Sequence, residues 1–332
     1  MTSANLPPNA GGPLPVPASG GTAVTMATAP PATASVWLVG QTSARAQRSG
    51  RYVPGSVAHP ARMMPSLART AIATYTRPGD LVLDPMCGIG TTLVEAVHAG
   101  RDAAGIDYES RWAALAEDNL RLAENVAAGR ATVATGDSRR AAELLPAELA
   151  GRVRLLLTSP PYGAAAHGRV DVPRTEKVRK WYHRYSDRSS GPAGTANLAQ
   201  QSLPQLLDGL RDILLGCLPL LAPNAAVVLT VRPYRSQGQL IDLPGAVLHT
   251  ATSIGLQPVG RYVALLAGVH PDRIVPRGSF FQMANVRAAR AAGTPLRVVA
   301  HEDVLVLRVP PQRLAAAPRL STPVGTSVRS RS

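Results

Sequence analysis

Two short stretches of this chain carry residues whose types and spacing could do chemistry. The first is Thr158-Ser159-Pro160-Pro161-Tyr162-Gly163, directly after the apolar run Val153 to Leu157. Two consecutive prolines lock φ and offer no backbone donor, so a strand must stop there, leaving Ser159 and Tyr162 at its carboxyl end. In open α/β sheets that end is where ligands bind. An ordinary Pro-Pro turn capping a core strand would read the same way in isolation. The second stretch is Asp84-Pro85-Met86-Cys87-Gly88-Ile89-Gly90-Thr91-Thr92. Here a short strand runs into a glycine-containing turn at the start of a helix, where backbone amides can approach a ligand without Cβ obstruction. Asp107, 19 positions after Gly88, ends the next strand. A carboxylate there can accept both hydroxyls of a ribose. Taken singly, Asp84 could merely cap a turn and Asp107 could be a solvated strand end. No GxGxxG pattern follows, which disfavours a dinucleotide. A nucleoside bound without a pyrophosphate, such as S-adenosylmethionine, suits the pattern better.

The elements that must position these residues alternate along the chain. The sequence predicts strands at Leu81–Asp84, Ala103–Asp107, Thr132–Ala134, Val153–Leu157, Ala225–Val231, Arg261–Ala267 and Asp303–Val309. Between them lie predicted helices at Leu93–Ala99, closed by Gly100, at Ser110–Ala123 and at Leu203–Leu221, with a helical stretch after Gly136-Asp137. Another helix, Ser66 to Tyr75, is expected to be capped by Ser66. Strands separated by helix-length segments imply an α/β fold, a Rossmann-like, doubly wound and mainly parallel seven-stranded sheet.

Composition sets the outer limits. With 332 residues, 45% of them hydrophobic, the chain can bury a sizeable core, in one main domain with added elements. A formal charge of +14 points to a polyanionic partner, although nearly all cations are arginine and part of the bias can be a habit of composition. The expected organisation is a disordered Pro/Gly/Ala-rich segment at 1–35, a catalytic domain at 36–310 and a basic, disordered tail at 311–332. Residues 1–35 lack the basic start and apolar block of a signal peptide, and Ile213–Val231 is broken by Pro219, Pro223 and Asn224. Neither membrane span nor export is therefore expected, and a cytoplasmic location is. Cys87 and Cys217 match neither a zinc spacing nor a disulfide framework, and the histidines are scattered, so no metal is assigned.

Asp84-Pro-Met-Cys-Gly-Ile-Gly-Thr-Thr92 resembles the cofactor motif of class I amino-methyltransferases, DPFxGxGTT, and Ser159-Pro160-Pro161-Tyr162 resembles their catalytic motif, [DNS]PP[YFW]. His59-Pro60-Ala61-Arg62 with Pro65 is similar to the segment packing beside the cofactor's methionine. His301-Glu302-Asp303-Val304-Leu305-Val306-Leu307 is similar to the last strand of many DNA methylases of this group. The resemblance covers residues 57–310. It implies methyl transfer from S-adenosylmethionine to an exocyclic amine of a nucleobase, cytosine N4 or adenine N6 in DNA. Ser159 and the Pro160 carbonyl would accept the amine's hydrogens, Pro161 would hold the turn, and Tyr162 would stack on the base. Asp107 would bind the ribose and Asp137 the adenine amino group. Gly88 and Gly90 would lie against the methionine part, with Asp84, Pro85, Cys87, Thr91, Thr92, His59 and Pro60 completing the cofactor side. A cytosine-C5-type thiolate mechanism is rejected, since it uses a Pro-Cys dipeptide in the loop that is Ser-Pro-Pro-Tyr here. Cys87 then reads as packing against the helix.

The basic insertion at 163–200 is the candidate nucleic-acid contact, with Arg174, Lys177, Arg179 and Lys180 interleaved with Trp181, Tyr182 and Tyr185. Cations there can meet phosphates while aromatics stack on bases, though a solvated surface loop would look similar. Phe280, Phe281, Gln282, Asn285 and Arg287 form a second candidate contact segment. Nucleic acid is the expected partner, DNA ahead of RNA. The competing readings are tRNA guanine-N2 methylation, whose enzymes share the motif order and a Pro-Pro-Tyr loop, and a non-catalytic nucleic-acid-binding module. Protein-glutamine methylation is set aside, because its loop begins with Asn.

Overall fold

The computed structural model describes residues 34–163, 197–236, 239–278, 280–291, 293 and 295–311. Almost all of the expected tails and of the basic insertion, with its seven contact candidates (Arg174, Lys177, Arg179, Lys180, Trp181, Tyr182 and Tyr185), lie outside these residues.

Eight strands form one sheet: β1 (Val36–Trp37), β2 (Leu81–Asp84), β3 (Asp102–Asp107), β4 (Ala131–Thr135), β5 (Val153–Thr158), β6 (Leu221–Val231), β7 (Gln257–Leu265) and β8 (His301–Arg308). Their order is β1-β7-β8-β6-β5-β2-β3-β4. All neighbours are parallel except β8, which runs against both β6 and β7. The order reverses beside β2 and β5, so the loops after these two strands open on one crevice. The helices are α1 (Ala44–Arg48), α2 (Pro65–Tyr75), α3 (Thr91–His98), α4 (Ser110–Glu124), α5 (Ala141–Leu144), α6 (Leu203–Cys217), α7 (Leu243–Ser253) and α8 (Phe280–Ala291). Two apolar cores fill the two faces. On β5, Leu156 packs with Leu206, Leu210 and Leu214 of α6, while Leu155 and Leu157 pack with Leu67, Ile72, Leu93 and Val97 of α2 and α3. That alternation buries the central strand on both sides.

The structure corrects several expectations. The sheet has eight strands, because Val36–Trp37 pairs in parallel with Val263–Ala264 at the edge. Helix α6 stops at Cys217, since Pro219 cannot donate to the carbonyl four residues back and Leu218–Leu220 tighten into a 3-10 turn. β6 begins at Leu221, ahead of the expected Ala225. Pro223 and Asn224 are carried as an irregularity, with Asn224 at φ 59° and the pairing slipping between Val153↔Leu221 and Leu155↔Ala226. Ser66 does not cap α2. Met64 occupies that position, Pro65 starts the helix, and the Ser66 amide donates to Gln47 Oε1 at 2.8 Å.

The lead-in before β2 is fastened to the sheet's helices by buried polar groups. Glu95 of α3, fully buried, accepts from Tyr52 (2.9 Å), Arg51 (2.7 Å) and Arg69 (3.0 Å). Asn119 of α4 accepts from the Val53 amide (2.8 Å) and donates to the Ile89 carbonyl (2.9 Å). These bonds hold residues 51–59 against the loop after β2.

Candidate active site

One large cavity lies at the carboxyl ends of the parallel strands, with a volume near 1170 Å³. That exceeds the roughly 300–1,000 Å³ of a single small-molecule pocket and leaves room for two reactants side by side.

The cofactor side is built from β2, β3 and the loop between Asp84 and Thr91. Asp84 is buried and accepts from Thr92 Oγ1 (2.6 Å) and the Met86 amide (3.1 Å). Burial pushes its pKa up to about 6, with those bonds opposing the shift. Gly88 takes φ +54°, and a Cβ there would meet His59 Nε2 at 3.1 Å, so the loop and the lead-in leave a cradle only glycine fits. Its amide donates to Asp107 Oδ2 (2.8 Å), while the Glu109 amide donates to Asp107 Oδ1 (2.9 Å). Burial raises the Asp107 pKa to about 7. Its backbone bonds oppose this, and the negative charges of Glu109 and Asp84 add to it. The His59 ring stands edge-on to Trp112, centroids 4.6 Å apart, closing this end of the cavity.

Asp84, Pro85, Cys87, Gly88, Thr91 and Thr92 all line the cavity, as do Asp107, Asp137, His59 and Pro60. Gly90 is not among its lining residues. It takes φ +77° before α3, where a Cβ would sit 3.0 Å from Ala116 Cβ, so it serves the packing of α3 on α4. The Asp137 carboxylate is held by Arg139, at 2.9 Å through Nε. Cys87 is buried, and burial with the neighbouring carboxylates pushes its thiol well above the usual range, the opposite of an activated nucleophile.

The acceptor side is built from the loop after β5 and the ends of β6 and β8. Ser159, Pro160, Pro161 and Tyr162 line the same cavity. Ser159 Oγ donates to the Thr230 carbonyl at 3.1 Å. With its proton committed, the hydroxyl oxygen faces the cavity as an acceptor. Tyr162 packs edge-on to Tyr234 (centroids 6.4 Å apart), with the Arg232 guanidinium 5.5 Å from its ring centroid. Burial and the charge of Glu302 raise its phenol pKa, and Arg232 opposes them.

Sequence reasoning does not assign Glu109, Trp112, Asn197, Arg232, Tyr234 or Glu302 to the site, although all six line it. Asn197 donates to Glu109 Oε1 at 2.9 Å, joining the last part of the insertion to the end of β3. The spacing Asp107-Tyr-Glu109 could have signalled Glu109. Nothing local marks Arg232 or Glu302, which meet only through sheet pairing. The side chains of Phe280, Phe281, Gln282 and Asn285 lie outside the described residues, and Arg287 is exposed on α8. Among the described residues no group of three metal-ligating side chains converges, and no helix is long and apolar enough to cross a membrane.

Residues 24–118 match a family model described as DNA methylase. Over 117 residues the chain is 32% identical to the tRNA (guanine(10)-N2)-dimethyltransferase of Methanocaldococcus jannaschii, covering 35% of this chain and 33% of the relative. The enzyme of the same description from Methanothermobacter thermautotrophicus is 28% identical over 151 residues, covering 45% of this chain and 41% of the relative. The Type II methyltransferase M.HinfI of Haemophilus influenzae is 39% identical over 67 residues, 20% of this chain and 19% of its own length. The chain thus spans well under half of each. Among solved structures, TrmN from Thermus thermophilus aligns at a TM-score of 0.45 and 20% identity, covering 79% of this chain and 52% of that one. Over these partial stretches the chain is similar to methyltransferases of DNA and tRNA, and its sheet has a Rossmann-like, doubly wound and mainly parallel order.

Proposed function

We propose that this protein methylates an exocyclic amine of a nucleobase in DNA, cytosine N4 or adenine N6. The observation that carries the reading is the Ser159 hydroxyl, whose proton is spent on the Thr230 carbonyl and whose oxygen is thereby fixed as an acceptor beside the cofactor cradle. An exocyclic amine is a poor nucleophile, its lone pair delocalised into the ring. Ser159 Oγ and the Pro160 carbonyl take its two hydrogens, favour a pyramidal nitrogen and turn its lone pair toward the cradle. Tyr162, steadied by Tyr234 and Arg232, supplies the stacking surface. S-adenosylmethionine supplies an electrophilic methyl group on a sulfonium. The Gly88 amide region, His59 and Pro60 hold its methionine part, Asp107 its ribose and Asp137 its adenine. With the cofactor bound, the chain's own part would be to hold the amine nitrogen facing the methyl group. Ser159 Oγ and the Pro160 carbonyl hold the amine hydrogens, one of which would pass to solvent water on transfer. Positioning and exclusion of water carry the rate, and no covalent enzyme intermediate forms. A base in a duplex reaches this pocket only when flipped out of the stack.

The domain organisation belongs to the same proposal: a methyltransferase domain at 36–310 whose insertion at 163–200 contacts nucleic acid. Arginines at the cavity, among them Arg48, Arg62, Arg232, Arg235 and Arg277, support a polyanionic substrate. A second reading, guanine N2 in tRNA, is favoured by the two archaeal relatives.

The test is transfer of a radiolabelled methyl group from S-adenosylmethionine to DNA and, separately, to tRNA and rRNA, followed by nucleoside analysis. Label in N4-methylcytosine or N6-methyladenine from DNA is expected. Label confined to N2-methylguanine in tRNA would replace the first reading with the second.

A further inference from the structure

Between β6 and α7 the chain makes a two-stranded hairpin, Tyr234–Ser236 paired antiparallel with Gln239–Ile241, that does not join the main sheet. A hairpin this short is marginal in water on its own, so it needs anchors. It has one at each end. Tyr234 packs edge-on to Tyr162 of the acceptor loop, and Asp242, directly after Ile241, caps α7 by accepting from the Gly245 amide at 3.0 Å. Tyr234, Arg235, Ser236 and Leu240 all line the cavity.

Successive residues of a strand point to opposite faces, and directly paired residues share a face. Tyr234 and Ile241, one such pair, are half-buried on the face that meets Tyr162. Arg235 and Leu240, the next pair, are exposed on the other face, Leu240 at 60%. A single exposed leucine is ordinary on a protein surface and by itself means nothing. Its position is what counts: an apolar side chain beside a guanidinium, lining the pocket, on a support fixed to the ring that would stack on the base. Arg232, Arg277 and Arg297 line the same cavity, and the Arg277 guanidinium is held by the carbonyls of Gly40 and Gln41, with no ion pair to an acid among the described residues. This part of the surface therefore suits a polyanion that also offers apolar faces.

We propose that the hairpin is a wedge for duplex DNA: Leu240 enters the base stack where the target base has left it, and Arg235 holds a phosphate beside that gap. A base leaving its stack exposes the faces of both neighbours, and an apolar side chain in the gap covers them again. Cross-strand neighbours stand about 5 Å apart at Cβ, so the phosphate contact sets the depth of the leucine. The inference rests on the duplex-DNA reading above and supplies the step by which the base reaches the pocket.

The test uses duplex oligonucleotides centred on the base that takes up label in the DNA transfer experiment. That base is either correctly paired or set opposite an abasic site, where no pair has to be opened. Cofactor affinity by calorimetry controls for folding. Leu240→Ala should lower kcat/KM on the paired duplex about tenfold or more and stay within about threefold of the parent on the abasic duplex. Leu240→Met keeps the apolar reach and should restore most of the paired activity. Arg235→Ala should weaken binding to both duplexes and lower the slope of log affinity against log salt by about one. An unchanged slope would remove the phosphate contact. Leu240→Ala equal to the parent on the paired duplex, or equally impaired on both, would overturn the wedge while leaving DNA methylation standing. So would a variant that alters only the oligomeric state in light scattering. Transfer confined to RNA, or absent altogether, would overturn the wedge together with the DNA reading.

Discussion

The two ends of the cavity are built on different terms. At the cofactor end nearly every polar group already has its partner: Asp84 with Thr92 and Met86, Asp107 with the Gly88 and Glu109 amides, Asp137 with Arg139. At the acceptor end Ser159 makes a single bond to a carbonyl, and Glu302 makes none among the described residues. The first end is organised before anything binds, so it can select one cofactor with little reordering. The second is left to be completed by whatever acceptor binds there, which is where discrimination between acceptors would be made.

The sharpest way to break this division is at Ser159. Ser159→Ala should lower methyl transfer by about 100-fold or more, as loss of a positioned polar group typically does, while calorimetry finds the cofactor's affinity unchanged. A parallel loss of both would mean the ends are not separate. Next in size, Asp107→Ala should weaken S-adenosylmethionine binding by roughly 100-fold, the scale of losing charge-assisted hydrogen bonds. Unaltered affinity would remove the ribose assignment.

Stability offers a second pair of tests. Glu95→Ala strips three donors of a fully buried acceptor, and urea unfolding should register a loss of about 3 kcal/mol. Since Glu95 fastens the lead-in that carries His59, a smaller loss in cofactor affinity should accompany it. A further effect expected is a change of slope with pH. Asp84 and Asp107 have folded pKa values raised to about 6 and about 7 by burial. The folded state therefore binds protons that the unfolded chain has released. Their contribution is fully present below pH 4, is lost as pH rises through 6 and 7, and stays lost above. A tenfold difference in proton affinity between the folded and unfolded chain corresponds to about 1.4 kcal/mol. Thermal unfolding of Asp107→Asn without cofactor should vary less between pH 4.5 and 8 than that of the parent protein. An equal or steeper dependence would contradict the burial argument.

How far the sequence discloses this arrangement depends on whether a residue's role is local. Leu81–Asp84 and the Pro-Pro break after Thr158 are written in short runs with unambiguous physics, and the structure has them as read. Asp107 follows from a spacing. The two-residue strand Val36–Trp37 leaves no periodic trace, because its pairing partner lies more than 200 positions away. Pro223 and Asn224 look like an interruption and are one, yet β6 absorbs it as an irregularity and continues on both sides. Gly90 looks like a ligand glycine, and its close approach to Ala116 is a packing reason for it that the sequence does not show. Arg232 and Glu302 are illegible as a pair for the same reason as β1: 70 residues separate them, and only the antiparallel register brings them together.

That register has an evolutionary reach of its own. Adjacent residues on a strand face opposite sides, so Glu302 looks into the cavity only because β8 zips in the frame that gives Asp303 to Arg261. A slip of one position would trade the two acids and hand the cavity a shorter carboxylate. The ion pair at Arg261 therefore works as a reading-frame lock, placed between the second and third strands of the sheet. Which acid β8 presents to the cavity is thus a property of strand alignment, shielded from the drift that loop insertions and deletions bring.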